Sequence, residues 1–232
     1  MISGVRALAF DVFGTVVDWR GSVSKEIENL GLPVNATEFA DGWRAGYGPA
    51  MARVTSGDLP WMNIDELHRM ILDDLLGRSQ IETLSEREKD ELNRAWHRLA
   101  AWPDSVAGLM RLKEKFMLVT LSNGNVSLLI NMAKNARLPW DCILSAELVK
   151  KYKPASEVYL MAAHYLGFNA SEIMMVAAHP GDLKAAATVG MRTAFVERPD
   201  EYGQGGTQGG TPPSEFDVSA IDFEDLAHKL GV

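Results

Sequence analysis

Apolar runs that stop at short polar turns alternate along this chain with stretches whose apolar positions recur every three or four residues. Residues 5–10 form the first apolar run, broken by Asp11 and then by Gly14-Thr15, and predict a strand. Over 17–101 the pattern is helical, as in Ile64, Leu67, Ile71, Leu72, Leu75 and Leu76. Near Trp102-Pro103-Asp104 a proline followed by an acid marks a helix start, which predicts a helix over 105–115. Strands follow at 116–121, 142–145, 173–178 and 193–196, with helices at 126–136, 157–166 and 182–189 between them. The segment 199–214 contains paired glycines and Pro212-Pro213, and it predicts a surface loop before a last short strand at 216–218. Its glycines open no helix, so a phosphate cradle is the weaker reading. Strands alternating with helices imply a parallel sheet covered on both faces. The expected fold is α/β, a doubly wound Rossmann-like parallel sheet core from 1–16 and 102–232, with an all-helical cap domain inserted at 17–101.

Composition narrows the partners. The chain has 232 residues, 47% of them hydrophobic, which suits one α/β core with a smaller insertion. With 23 Lys plus Arg against 31 Asp plus Glu, the net charge of −8 disfavours nucleic acid and anionic membrane surfaces. An anionic substrate therefore needs a local cationic pocket. The N-terminus enters the first strand without a basic and then apolar leader, and no apolar stretch approaches membrane-spanning length, so a cytoplasmic protein is expected. A homodimer is the default assembly for such a protein. Cys142 has no second cysteine to pair with, and its apolar neighbours predict a packed thiol.

The chemistry gathers at strand ends. Asp11 closes the first strand, and in open α/β sheets ligands bind beyond the carboxyl ends of the strands. That is where a nucleophile belongs, although a strand-end Asp can equally cap a turn. Ser122-Asn123 closes the strand at 116–121, offering a hydroxyl, turn amides and a carboxamide to an anion. Lys153 precedes Pro154, which restricts its backbone, and an ammonium near Asp11 would hold that carboxylate ionised while drawing in an anion. Ala177-Ala178-His179-Pro180-Gly181-Asp182 closes the strand at 173–178.

The run Asp11-Val12-Phe13-Gly14-Thr15, with Ser122, Lys153-Pro154 and Asp182 in this order, resembles the four motifs of the haloacid dehalogenase superfamily, specifically its 2-haloacid dehalogenase branch. The resemblance implies catalytic roles for Asp11, Thr15, Lys153, Asp182 and His179. It further implies substrate or halide contacts for Arg44, Trp61, Ser122, Asn123, Val12 and Phe13, with a short haloacid as the substrate. Trp96, His97 and Trp102 are weaker candidates, since aromatic clusters at such junctions more often pack. The superfamily's phosphatases carry a second Asp two residues after the nucleophile, and here that position is Phe13, which neither donates a proton nor binds magnesium. No cofactor or metal is therefore implied. Many members of the branch carry Ser and Asn ahead of the fourth-motif Asp, where this chain has Ala177, Ala178 and His179; His179 is expected to replace the Asn as a donor or to act as an auxiliary base. The rival readings are a magnesium-dependent phosphatase or phosphonatase on the same fold, and a non-catalytic ligand-binding member.

Overall fold

The computed structural model describes residues 4–203 and 215–232; most of the glycine-rich segment predicted as a loop, 204–214, lies outside them. The first strand, β1 (Ala7–Phe10), has no solvent exposure and divides its side chains by size. Leu8 and Phe10 point to one face, and Ala7 and Ala9 to the other, as the two-residue period of a strand requires. The chain then forms β2 (Val17–Asp18), four helices α1 (Trp19–Leu30), α2 (Ala36–Ser56), α3 (Ile64–Arg78) and α4 (Glu86–Asn93), and returns through β3 (Ala100–Ala101). The outgoing and returning crossings pair antiparallel, Val17 against Ala101 and Asp18 against Ala100, so the helical insertion hangs from a two-stranded ribbon.

Beyond it run α5 (Ser105–Lys113), β4 (Met117–Ser122), α6 (Val126–Ala136), β5 (Cys142–Ser145), α7 (Ser156–Leu166), β6 (Ile173–Ala177), α8 (Pro180–Thr188), β7 (Arg192–Val196), β8 (Val218–Ala220) and α9 (Phe223–Leu230). Six of the strands form one parallel sheet in the order β5-β4-β1-β6-β7-β8. From β1 the chain winds outward through β4 to β5, then crosses back to β6, so β1 flanks the point where the winding reverses. A crevice opens there at the carboxyl ends. The bulky face of β1 packs with Leu109, Leu112, Leu128 and Phe223 from α5, α6 and α9, and this core runs without a break into Trp19, Trp43 and Leu67 of the insertion. The small-residue face packs on Val158, Tyr159, Leu183 and Ala186 from α7 and α8.

Several expectations are corrected. Helix α8 starts at Pro180 rather than at residue 182, because proline fits the first helical position, and Asp182 thus falls in its first turn. The last strand is β8 at Val218–Ala220 rather than 216–218: Phe216 stacks on Phe195, and the Asp217 carboxylate accepts from the Thr193 amide at 2.9 Å, so ladder pairing starts one residue later. Cys142 is exposed rather than packed, since it opens the edge strand β5. Helix α5 starts at Ser105 as expected, with Asp104 at its N-cap position; the Asp104 side chain does not bond the helix, and its carboxylate accepts a two-pronged hydrogen bond from Arg198, 2.8 Å on each arm, and one from the Phe223 amide at 2.9 Å. Helix α9, which the apolar periodicity did not predict, docks through that contact.

The seam between α5 and α9 is close enough to test. A Cβ at Gly108 would stand 2.4 Å from Phe223 Cβ and 2.7 Å from its backbone carbon. Gly108→Ala should therefore lower the unfolding free energy by about 1–3 kcal/mol despite alanine's better helix propensity. Urea denaturation checks this; a variant as stable as the parent would mean that α9 does not press on α5.

Candidate active site

Asp11 is the first residue past β1, and its amide still donates to Val176 O at 3.0 Å, so the sheet itself fixes its backbone. Its carboxylate is buried and fully engaged. Lys153 Nζ donates to Oδ1 at 2.9 Å, while Oδ2 accepts from Thr15 Oγ at 2.7 Å and faces His179 Nδ1 at 2.9 Å. The Thr15 proton is directed at Asp11 because the Thr15 oxygen already accepts the Ala178 amide at 3.0 Å. Burial pushes the Asp11 acid upward, but the charges and hydrogen bonds of Lys153 and His179 outweigh it and hold the acid well below the usual carboxylate range. Asp11 is an ionised, oriented carboxylate.

Lys153 reaches the site from the segment after β5, where its amide donates to Asn123 Oδ1 at 2.7 Å. Its ammonium also donates to Asp182 Oδ2 at 2.5 Å, and it is thus shared between two buried carboxylates. Burial alone would lower the lysine; Asp11 and Asp182 raise it well above its ordinary value, so it stays charged. The second Asp182 oxygen accepts from Tyr159 Oη at 2.5 Å. Asp182 moves the other way from Asp11: burial raises it and the Asp11 charge adds to that, against the opposing pull of Lys153. Two carboxylates held by one ammonium thus differ in acidity, one a firm anion and one a better base.

A third carboxylate completes the cluster. His179 Nε2 faces Glu201 Oε1 and Oε2 at 3.1 and 3.0 Å, and Glu201, fully buried, also accepts from Trp19 Nε1 at 3.2 Å. Gly14, at φ +79°, backs onto this acid; a Cβ there would stand 2.1 Å from Glu201 Oε1. The turn after Asp11 therefore needs glycine for its backbone conformation and for space.

Asp11, Lys153, Tyr159, His179 and Asp182 line a pocket of about 350 Å³, with Glu201 buried behind His179. Arg44 and Tyr47 from α2 close it from the insertion side, with the Arg44 guanidinium 4.6 Å from the Tyr47 ring centroid and 5.6 Å from that of Trp19. Phe13, Ser122, Asn123 and Tyr202 form other parts of the wall. Three cations, Arg44, Lys153 and His179, face three carboxylates, so an anionic ligand meets no net repulsion despite the overall charge of −8.

The sequence matches the haloacid dehalogenase-like hydrolase family over residues 5–190. It is 30% identical to (S)-2-haloacid dehalogenase 4A of Burkholderia cepacia, over 87% of this chain and 88% of the relative. The chain belongs to the haloacid dehalogenase-like hydrolase family. Its fold is similar to a solved L-2-haloacid dehalogenase, with a TM-score of 0.94 and 43% identity over 98% of this chain and 100% of the other. A solved defluorinating L-2-haloacid dehalogenase superposes with a TM-score of 0.95 at 46% identity, over 98% and 96% of the two chains.

The family's phosphatases hold magnesium with a second Asp two residues after the first, and the donor set here does not fit that ion. Phe13 occupies that position, and the Lys153 ammonium lies between Asp11 and Asp182. Two residues expected to contact the ligand do not line this dehalogenase-like pocket. Trp61 stacks on Tyr152, with centroids 4.8 Å apart, and borders a separate groove with Val54 and Lys151. The short segment before Pro154 thus gives Lys153 to the pocket and Tyr152 to the seam with the insertion. Val12 is buried in the core and does not line the pocket; its carbonyl accepts the Val16 amide at 2.9 Å. His97 is held by Asp65 and Asn131, and Trp102 donates to Gly14 O at 2.8 Å, so both secure the junction instead of lining the pocket. Tyr47, Tyr159, Tyr202 and Glu201 carried no motif signal; for Glu201 the only sequence hint is its place just after a strand of the sheet.

His68 also escaped the sequence reading. It is buried against Trp96 at 4.1 Å between ring centroids, and neither ring nitrogen has a hydrogen-bond partner among the described residues. Burial, with Arg44 nearby, lowers it to about 3 from 6.5, so it is neutral when folded. The unfolded chain takes up this proton first as pH falls, so stability is lost from about pH 6.5 downward towards 3. His68→Phe keeps the stacking and should flatten that part of the stability profile relative to the parent. Thermal unfolding at pH 7 and pH 4.5 measures the difference; an unchanged pH dependence would mean that His68 titrates normally.

Proposed function

We infer that this protein hydrolyses the carbon–halogen bond of short 2-haloalkanoic acids, such as haloacetate and (S)-2-halopropionate, to give 2-hydroxy acids. The observation that carries the reading is Asp11: an ionised carboxylate at the end of the central strand, with Lys153 beside it and an apolar Phe13 two residues on. Halide leaves as a weak base and needs no proton, so the missing second acid costs this reaction nothing, whereas an alkoxide leaving from a phosphate ester would need one. In the first step an Asp11 oxygen attacks the halogen-bearing carbon from the rear, the carbon–halogen bond breaks, and an aspartyl ester forms. A single displacement inverts that carbon, so an (S)-haloacid yields an (R)-hydroxy acid.

Arg44, Ser122 and Asn123 serve the substrate carboxylate and the departing halide in this proposal. Arg44 is free to do so because its described neighbours are aromatic faces. Asp182 then takes a proton from water, which adds to the Asp11 side-chain carbonyl and releases the product. Its raised pKa suits it better than Asp11 for that role. Fluoride belongs among the halides to assay, since one relative at 46% identity is a defluorinating enzyme. A cytoplasmic location and a homodimer complete the proposal, and sedimentation velocity showing twice the chain mass checks the latter.

The covalent route is tested in oxygen-18 water with enzyme in excess over (S)-2-chloropropionate. First-turnover lactate should be unlabelled and the Asp11 peptide should gain label; labelled lactate with an unlabelled peptide would make Asp11 a base for water instead. Halide release should persist in EDTA, and activity that collapses on chelation and returns with magnesium would favour the phosphatase reading. Arg44→Lys retains charge but loses the planar fork, so kcat/KM should fall roughly tenfold to a hundredfold with thermal stability unchanged. Parent-like kinetics would remove Arg44 from the site.

A further inference from the structure

His179 is held in a way that a base would not be. Its two ring nitrogens each face a buried carboxylate, Asp11 at 2.9 Å and Glu201 at 3.0 Å. A neutral imidazole has one proton, so one of these contacts would set a lone pair against an anion; only the imidazolium satisfies both. The other charged or titratable groups around the ring leave this unchanged. Lys153 and Asp182 are tied to each other across the pocket, Tyr202 lies beside Glu201, and Arg44 faces Tyr47 and Trp19. The two oxygens of Asp11 are also unlike: among the described residues Oδ1 has a single cationic donor, whereas Oδ2 is held by both Thr15 and His179.

We propose that Oδ1 of Asp11 is the attacking atom, that Oδ2 becomes the carbonyl oxygen of the ester, and that protonated His179 with Thr15 forms the cradle for the oxyanion when water adds. Of the two roles its sequence position suggested, His179 is thus the catalytic donor and not the auxiliary base. Glu201 is a positioning residue that keeps the second proton on the ring. This rests on the aspartyl-ester reading above. When water adds to the ester carbon, one of its protons goes to Asp182 and the carbonyl electron pair moves onto Oδ2. Collapse re-forms the carbonyl, breaks the bond from the Asp11 carboxyl carbon to Oδ1, and returns the Asp182 proton to the departing alkoxide. The remaining water proton leaves the regenerated acid, matching the halide released earlier.

The purpose of Glu201 follows from charge. In the resting enzyme burial alone would lower His179, but the hydrogen bonds and charges of Asp11 and Glu201 push it up to about 10. Esterification removes the Asp11 charge, so at the moment the oxyanion forms Glu201 alone retains the proton. Removing one donor from such a cradle typically slows the step by about 10²–10³.

Nitrogen-15 NMR of the imidazole in the intact protein reads the proton without turnover. His179 should be doubly protonated at pH 8, and Asp11→Asn, a neutral stand-in for the ester, should lower its titration without abolishing the charge at neutral pH. A neutral His179 at pH 8 in the parent would overturn the inference. Kinetically, ester hydrolysis followed by intact mass should fail on the alkaline side, and Glu201→Gln, which keeps shape and loses charge, should move that limb to lower pH. A base would give the opposite, an acid limb that moves down in the same variant, and that outcome also overturns the inference. If Asp182→Asn traps no ester at all, the covalent reading falls and takes this inference with it, whereas a neutral His179 defeats the inference alone.

Discussion

The ammonium of Lys153, shared between Asp11 and Asp182, is the interaction on which the site depends. Two buried carboxylates that approach one cation would otherwise share a proton, as like charges in a low dielectric cannot both ionise cheaply. With the lysine between them the cluster divides its labour: Asp11, which also receives Thr15 and His179, stays ionised, while Asp182 is pushed toward the neutral form. A magnesium ion could meet the same electrostatic demand in a relative with another acid at position 13. Here the fixed ammonium meets it, and the apolar Phe13 at that position fits a reaction whose leaving group asks for no proton.

The sheet makes this convergence possible. Neighbouring strands β4, β1 and β6 end side by side, so polar residues placed just past each apolar run are carried to one crevice although they stand far apart in the chain. The helical insertion contributes differently. Its apolar residues merge with one face of the sheet through Trp19, Trp43 and Trp96, which sets Arg44 and Tyr47 over the crevice on a packed support. Neutral His68, without a hydrogen-bond partner among the described residues, lies within that aromatic packing, a polar group retained where an apolar ring would fit.

Legibility in the sequence followed locality. Strand β1, helix α6 and strand β5 are each declared by contiguous apolar patterning, and Asp11, Ser122, Lys153 and Asp182 stand at the breaks in it. Trp61 misled because its type suits a halide cradle, yet the turn between α2 and α3 carries it to Tyr152. Val12 adjoins the nucleophile in sequence, but its side chain belongs to the core. Cys142 lies in an apolar run, and its exposure comes from the position of β5 at the sheet edge.

What the chain determined by itself was the alternation of strands and helices, the residues that end each strand, and a position 13 incompatible with a metal-binding acid. These depend on neighbours a few residues away, and short-range patterning encodes them. Only the tertiary structure decided that Glu201 stands behind His179, since that acid meets Trp19 from 182 residues away and His179 from 22. A buried charge takes its meaning from the partners that surround it. The His179 imidazole is an expected donor or base in the sequence and a ring anchored at both nitrogens in the fold, because the two carboxylates that hold it approach from separate parts of the chain.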